Sequence, residues 1–231
     1  MKRVILFGGS FDPVHFGHLT MAKKALKQRK ADAVFFIPNR QSPFKEKRTS
    51  FSDRFKMLEL ATANNPKFIV LDIENTLPEP SYTIDTVQAL QKQYPQTQFD
   101  FLIGDDQIER LDEWKSFEKL NKCVTFVVYG REDAKHPYPV IHGPKIATSS
   151  TAIRQGESCY TDKKVLRYMV KHHLYTKSIL SAQLSEKRLA HTLRVKDLAL
   201  EIAGAHGVDE NKVKIAALWH DFHRENQTAH L

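Results

Sequence analysis

Residues 3–18 read RVILFGGSFDPVHFGH. The apolar run Arg3–Phe7, closed by Gly8-Gly9, predicts a buried strand feeding a tight turn. From Gly17 onward, HLTMAKKAL places Leu19, Ala22 and Leu26 on one helical face. A glycine pair has no Cβ, so the backbone there can come close to a phosphate. Ser10 and the backbone N–H of Phe11 can donate to phosphate oxygens. His18 falls in the first turn of the helix, where free N–H groups and the helix dipole favour an anion. His15 lies three residues earlier in the loop, so both imidazoles can face one polyphosphate.

Outward from this stretch, the apolar runs AVFFIP (33–38), FIVLDI (68–73), FDFLI (99–103) and CVTFVVYG (123–130) read as further strands. Helical spacing recurs between them. Phe51, Phe55 and Leu58 share one face; Ile84, Val87, Leu90 and Tyr94 share another, with Ser81 placed to cap that helix. Strands that alternate with helices and are continuously apolar predict an α/β protein, with a doubly wound parallel sheet covered on both faces. Ligands in such sheets bind beyond the carboxyl ends of the strands at the switch point. Gly8–His18, Asn39–Lys45, Gly104-Asp105-Asp106 and Arg131 all fall at such ends. After VLRYMVKHHLY (165–175) the character changes. TKSILSAQLSEKR reads as polar and without structure, and LAHTLRVKDLALEIAGAHG as a long helix. The boundary is placed between residues 1–176 and 177–231, and the second piece is expected to be too short for a comfortable core of its own.

The chain has 231 residues, 41% hydrophobic and 27% charged, as in ordinary folded proteins. A formal charge of +8 favours anionic partners, but no basic face interleaved with stacking aromatics or carried on a recognition helix suggests nucleic acid. No apolar run is long enough to span a membrane, and VILFGG is too short for a signal peptide, so a cytoplasmic location is expected. Cys123 and Cys159 have no metal-ligand or redox spacing and read as reduced thiols. A homo-oligomer is compatible with the sequence, which does not set the number of copies.

GGSFDPVHFGH (8–18) resembles the signature of the nucleotidyltransferases with an HxGH motif, and TSSTAIR (148–154) resembles their second signature, Ser-Ser-Thr-x-Ile-Arg. Within that superfamily, PSYTIDT (80–86), IGDDQIERLDEW (103–114) and VLRYMVKHHLY (165–175) are similar to the bacterial nicotinate-nucleotide adenylyltransferase family. The resemblance implies a Rossmann-like fold and transfer of the adenylyl group of ATP to nicotinate mononucleotide, releasing pyrophosphate. It also implies roles position by position. His15, His18, Lys45 and Arg154 would be catalytic. Gly8, Gly9, Ser10, Phe11, Gly104, Asp106, Arg131 and Ser150 would bind ATP. Thr83 and Trp114 would bind the nicotinate nucleotide. Mg²⁺ would arrive with ATP, since the motifs contain no carboxylate cage, and no tightly bound metal is expected there. Nicotinamide mononucleotide, or another phosphorylated acceptor, is the alternative. Two departures stand out. Pro43-Phe44-Lys45 replaces the family's Pro-His-Lys, and Gly104-Asp105-Asp106 carries an extra carboxylate where the family has Gly-Ala-Asp.

Residues 189–222 carry a second signal. HTLRV from His191 and WHDF around His220-Asp221 resemble the start of an HD-domain phosphohydrolase of the type that splits diadenosine tetraphosphate. The resemblance implies His191, His220 and Asp221 as metal ligands. That family also uses an aspartate well downstream, whereas ten residues follow Asp221. An inactive HD fragment at the end of a short helical extension is therefore expected, with hydrolysis through this segment as the alternative activity.

Overall fold

Val4, Ile5, Leu6 and Phe7 are each no more than 5% exposed. A strand buried on both of its faces must lie centrally in a sheet with a layer on each side. In a computed structural model of the chain, which describes residues 2–40, 49–80, 82–130 and 136–222, that is its position. Strand β1 (Lys2–Gly9) pairs in parallel with β2 (Ala33–Pro38) on one side and β4 (Thr97–Gly104) on the other, with Leu6 opposite Phe35 and Phe101. With β3 (Phe68–Val70), β5 (Thr125–Gly130) and β6 (Val140–His142), the order is β3-β2-β1-β4-β5-β6, every pair parallel. The chain steps outward from β1 to β3, then returns to the far side of β1 and steps outward again. The reversal between β1 and β4 opens a crevice beyond their carboxyl ends. This is the Rossmann-like doubly wound sheet expected.

Alternate residues serve the two faces. Val4, Leu6, Phe99, Phe101, Ile103, Phe126 and Val128 cluster with Ile84, Val87 and Leu90 of α3 (Thr83–Gln93) and Leu120 of α4 (Phe117–Cys123). Ile5, Phe7, Phe36 and Leu102 are buried at the intervening positions, and α1 (Phe16–Gln28) and α2 (Phe51–Thr62) contact these strands. Each such side chain contributes roughly 1.5–3 kcal/mol on burial, so the two layers hold the strand ends firmly. Asp100, 2% exposed, accepts from Arg29 Nε at 2.7 Å, which ties the end of α1 to β4.

Several elements differ from the sequence reading. FIVLDI is a strand only to Val70, and Ile73–Thr76 turns into a 3-10 helix. Strand β6 was not expected; three residues between Pro139 and Gly143 are too few to show a period. Helix α3 is capped from Tyr82, whose N–H donates to Asp85 Oδ2 at 3.2 Å; Ser81 lies outside the described residues. Among the described residues, no helix is long and apolar enough to cross a membrane.

The chain divides into two compact units, Met1–Ser149 and Ser150–Leu231. The second is helical: α5 (Ser150–Arg154), α6 (Lys163–Lys171), α7 (Thr176–Gln183), α8 (Glu186–His206) and α9 (Glu210–Trp219). The stretch read as unstructured holds α7 and the first turn of α8. Its signal, Leu180 and Leu184 at i and i+4, is diluted by serine and glutamine. Leu180, Leu184 and Leu218 form a small core with Leu189, Trp219 and Phe222, so this segment does bury apolar surface of its own. Ser185 caps α8, Gly207 at φ 62° ends it, and the Asp209 carboxylate caps α9 by accepting from the N–H groups of Asn211 and Lys212.

Candidate active site at the switch point

His15 is the residue that caps α1, and His18 sits in the first turn. Their rings lie close together, centroids 3.7 Å apart and tilted by 33°. The backbone N–H of His15 donates to His18 Nδ1 at 3.2 Å. In the neutral ring this places the proton on Nε2, which becomes a donor. Burial pulls the His15 pKa down from 6.5 to about 4. That of His18 is held well below its ordinary value, first by desolvation and then by the neighbouring His15. Both imidazoles are therefore neutral donors at physiological pH. His15 is 6% exposed, and its Nδ1 has no hydrogen-bond partner among the described residues.

The glycine between the histidines is required by space. A Cβ on Gly17 would meet the Ile146 methyl, and His15 Nδ1 at 2.8 Å. Phe11 is held in the left-handed region at φ 47°, a conformation that costs a non-glycine residue roughly 1–2 kcal/mol. Its ring is 1% exposed and packs edge-on against Phe7 at 5.5 Å and Phe36 at 5.8 Å, and against His18 at 5.1 Å. Strain so well supported is characteristic of functional loops.

Across the crevice lies the end of β4. The β1–β4 pairing ends at Leu6 and Phe101, and Gly9 and Gly104 each follow three residues beyond it. A side chain at Gly104 would collide with Asp106 Oδ1, so the carboxylate folds back over the glycine; Asp106 also accepts from Gln107 Nε2 at 2.8 Å. The extra Asp105 has a place: its Cβ lies 3.3 Å from where a Cβ on Gly130 would stand, at the end of β5. Thr83 opens α3. Trp114, which ends the 3-10 helix Asp105–Glu113, packs edge-on against Phe101 at 5.7 Å and Phe126 at 6.1 Å. Tyr82 and Lys115, the neighbours of these two residues, meet: Lys115 Nζ lies 3.8 Å from the Tyr82 ring centroid. Lys45 and Arg131 lie outside the described residues. Ser150 and Arg154 begin and end α5 in the second unit, where Arg154 donates to Thr151 Oγ1 at 3.1 Å.

Sequence reasoning missed Arg54. It lies on α2 among Ser, Asp and Phe, and nothing local marks it. Yet it is 1% exposed and donates to four backbone carbonyls, including that of Ser10 at 2.8 Å.

Residues 6–156 match the family described as Cytidylyltransferase-like, and residues 188–229 the HD domain. A Geobacillus kaustophilus protein described as "Probable nicotinate-nucleotide adenylyltransferase" is 40% identical over 74% of this chain and 80% of its own length. The chain belongs to the nicotinate-nucleotide adenylyltransferases, within the cytidylyltransferase-like family. A Mycoplasma genitalium relative, "Probable nicotinate-nucleotide adenylyltransferase/Ap4A hydrolase", is 33% identical over 97% of this chain and 67% of its own length. Among solved structures, the Plasmodium falciparum nicotinic acid mononucleotide adenylyltransferase complexed with NaAD is 22% identical. It covers 76% of this chain and 98% of its own, at a TM-score of 0.63, and so shares the fold.

In the second unit, His220 Nε2 lies 3.3 Å and His191 Nε2 3.8 Å from Asp221 Oδ2, and the three donor atoms fall within 4.8 Å of one another. His220 Nδ1 is 2.7 Å from the Ala217 carbonyl. Its proton is committed to that carbonyl, which leaves the Nε2 lone pair available. Asp221 is 4% exposed and accepts from Arg188 Nη1 at 2.9 Å. Two imidazoles and a carboxylate so placed fit a divalent transition-metal ion, with Arg188 as the competing cation.

Proposed function

We propose that the chain transfers the adenylyl group of ATP, carried as its magnesium complex, to nicotinate mononucleotide, giving the deamido dinucleotide and pyrophosphate. The observation that carries this reading is the close His15–His18 pair, 3.7 Å between ring centroids, at the mouth of the β1–β4 crevice. The phosphate oxygen of the mononucleotide attacks the α-phosphorus of ATP, and the bond to the bridging oxygen of pyrophosphate breaks. Such a transfer asks little covalent chemistry of the protein; it asks for positioning and for donors where charge develops.

Neutral imidazoles suit that task. His18 Nε2–H and His15 donate to the phosphate chain, and the charge that collects on leaving pyrophosphate draws their pKa values upward. Gly8, Gly9, Ser10 and Phe11 admit the phosphates to the backbone. Gly104 and Asp106 take the ribose side of the crevice, with Arg131, Lys45, Ser150 and Arg154 as the remaining phosphate and nucleotide contacts. Thr83 and Trp114 shape the acceptor site. In the second unit, His191, His220 and Asp221 would hold a divalent ion, which when bound lowers the pKa of a coordinated water.

The test is pyrophosphate release from ATP with nicotinate and nicotinamide mononucleotides as acceptors. Nicotinate mononucleotide is expected to be preferred. His18→Ala should lower kcat roughly 100- to 1000-fold, as loss of one preorganised donor does elsewhere, with its melting temperature unchanged. Near-native turnover in that variant would overturn the mechanism.

A further inference from the structure

Arg54 is the one fully buried cation of the first unit among the described residues, and it faces backbone. Its Nη1 donates to the Ser10 carbonyl at 2.8 Å, Nη2 to the carbonyls of Asn39 at 2.8 Å and Arg40 at 3.3 Å, and Nε to that of Thr49 at 3.0 Å. The guanidinium thus gathers the loop after β1, the exit of β2 and the approach to α2. Asn39 is tied to the first loop a second time, its N–H donating to the Gly9 carbonyl at 2.9 Å.

The direction of one peptide follows. The Ser10–Phe11 bond is trans, and in a trans peptide the C=O and N–H point to opposite sides. With the Ser10 carbonyl committed to Arg54, the Phe11 N–H is turned away from the guanidinium. Among the described residues that N–H has no hydrogen-bond partner. Phe11 also carries the positive φ of the loop and is clamped by Phe7 and Phe36.

We infer that Arg54 is a positioning residue for the transfer reaction. By holding the Ser10 carbonyl inward, it aims the Phe11 N–H into the crevice as a donor to a phosphate oxygen of ATP, and it fixes the β2 exit to the same frame. The planar fork matters, because a lysine ammonium is a single point and cannot reach carbonyls from three segments at once. The inference rests on the crevice being the ATP site, as proposed above.

Two measurements test it. In the unaltered protein, the Phe11 amide resonance is followed by NMR during titration with inorganic triphosphate and with a non-hydrolysable ATP analogue. A large downfield proton shift is expected with both probes. A Phe11 amide unmoved by either overturns the proposal, whatever the acceptor assay shows. In Arg54→Lys, the KM for ATP should rise 10- to 100-fold while that for the mononucleotide changes less than twofold. An equal loss for both substrates, in step with a fall in melting temperature, would reduce Arg54 to a structural role and overturn the proposal. Should Arg54→Lys fail to fold, Arg54→Gly supplied with ethylguanidinium provides the same comparison. Recovery of ATP affinity with added guanidinium supports positioning, and recovery of folding without it refutes positioning.

Discussion

At the scale of single residues, the histidine pair makes the protein sensitive to acid. Folded His15 gives up its proton near pH 4, whereas the unfolded chain holds one up to about 6.5. Between these values the unfolded state binds more protons, so stability falls as the pH drops from about 6.5 towards 4 and is full above that window. A shift from 6.5 to about 4 amounts to about 3 kcal/mol at most, and His18 adds in the same direction. Thermal melts from pH 7 to pH 4 should show this loss, and His15→Gln should flatten it; identical profiles for the two proteins would contradict it. The pair was legible in the sequence because its spacing is local. Arg54 was not, because what buries it is three carbonyl-bearing segments between 5 and 44 residues away. A lone arginine on a helix otherwise reads as solvated.

At the scale of elements, the turn into α1 depends on Gly17 more than helix propensity suggests. Alanine is the better helix former by about 1 kcal/mol, yet its Cβ would enter the space of the Ile146 methyl and the His15 ring. Overpacking of that kind costs roughly 1–3 kcal/mol. Gly17→Ala is therefore expected to lower both the urea midpoint and the rate of pyrophosphate release, since the displaced ring is one of the two donors. A more stable, fully active variant would refute this. The strands and helices with a clear period, β1, β2, β4, β5 and α1 to α3, were legible. β6 and α7 were not. One is too short for a period to appear, and the other hides two leucines among polar residues, its burial coming from α9 through Leu218.

At the scale of the whole chain, the metal cluster proposed for α8 and the end of α9 is expected to act apart from adenylyl transfer. The His191, His220 and Asp221 cluster should bind Mn²⁺ or Zn²⁺ in calorimetric titration of the intact chain, and His220→Ala should abolish that binding while leaving adenylyl transfer as it was. Retained metal binding in the variant would place the ligands elsewhere. Arg188 on Asp221 predicts that binding is weak until that ion pair is exchanged.

The register of β1 sets the order in which the nascent chain can assemble. Leu6 finds one neighbour in Phe35, 29 residues later, but the other in Phe101, 95 residues later. At roughly 5–20 residues per second of synthesis, one edge of the central strand waits on the order of 5–20 seconds on the ribosome, apolar and unpaired, before β4 emerges to close it. The strand that carries the histidine loop is thus the first made, yet it is closed on its second edge only once β4 has followed it.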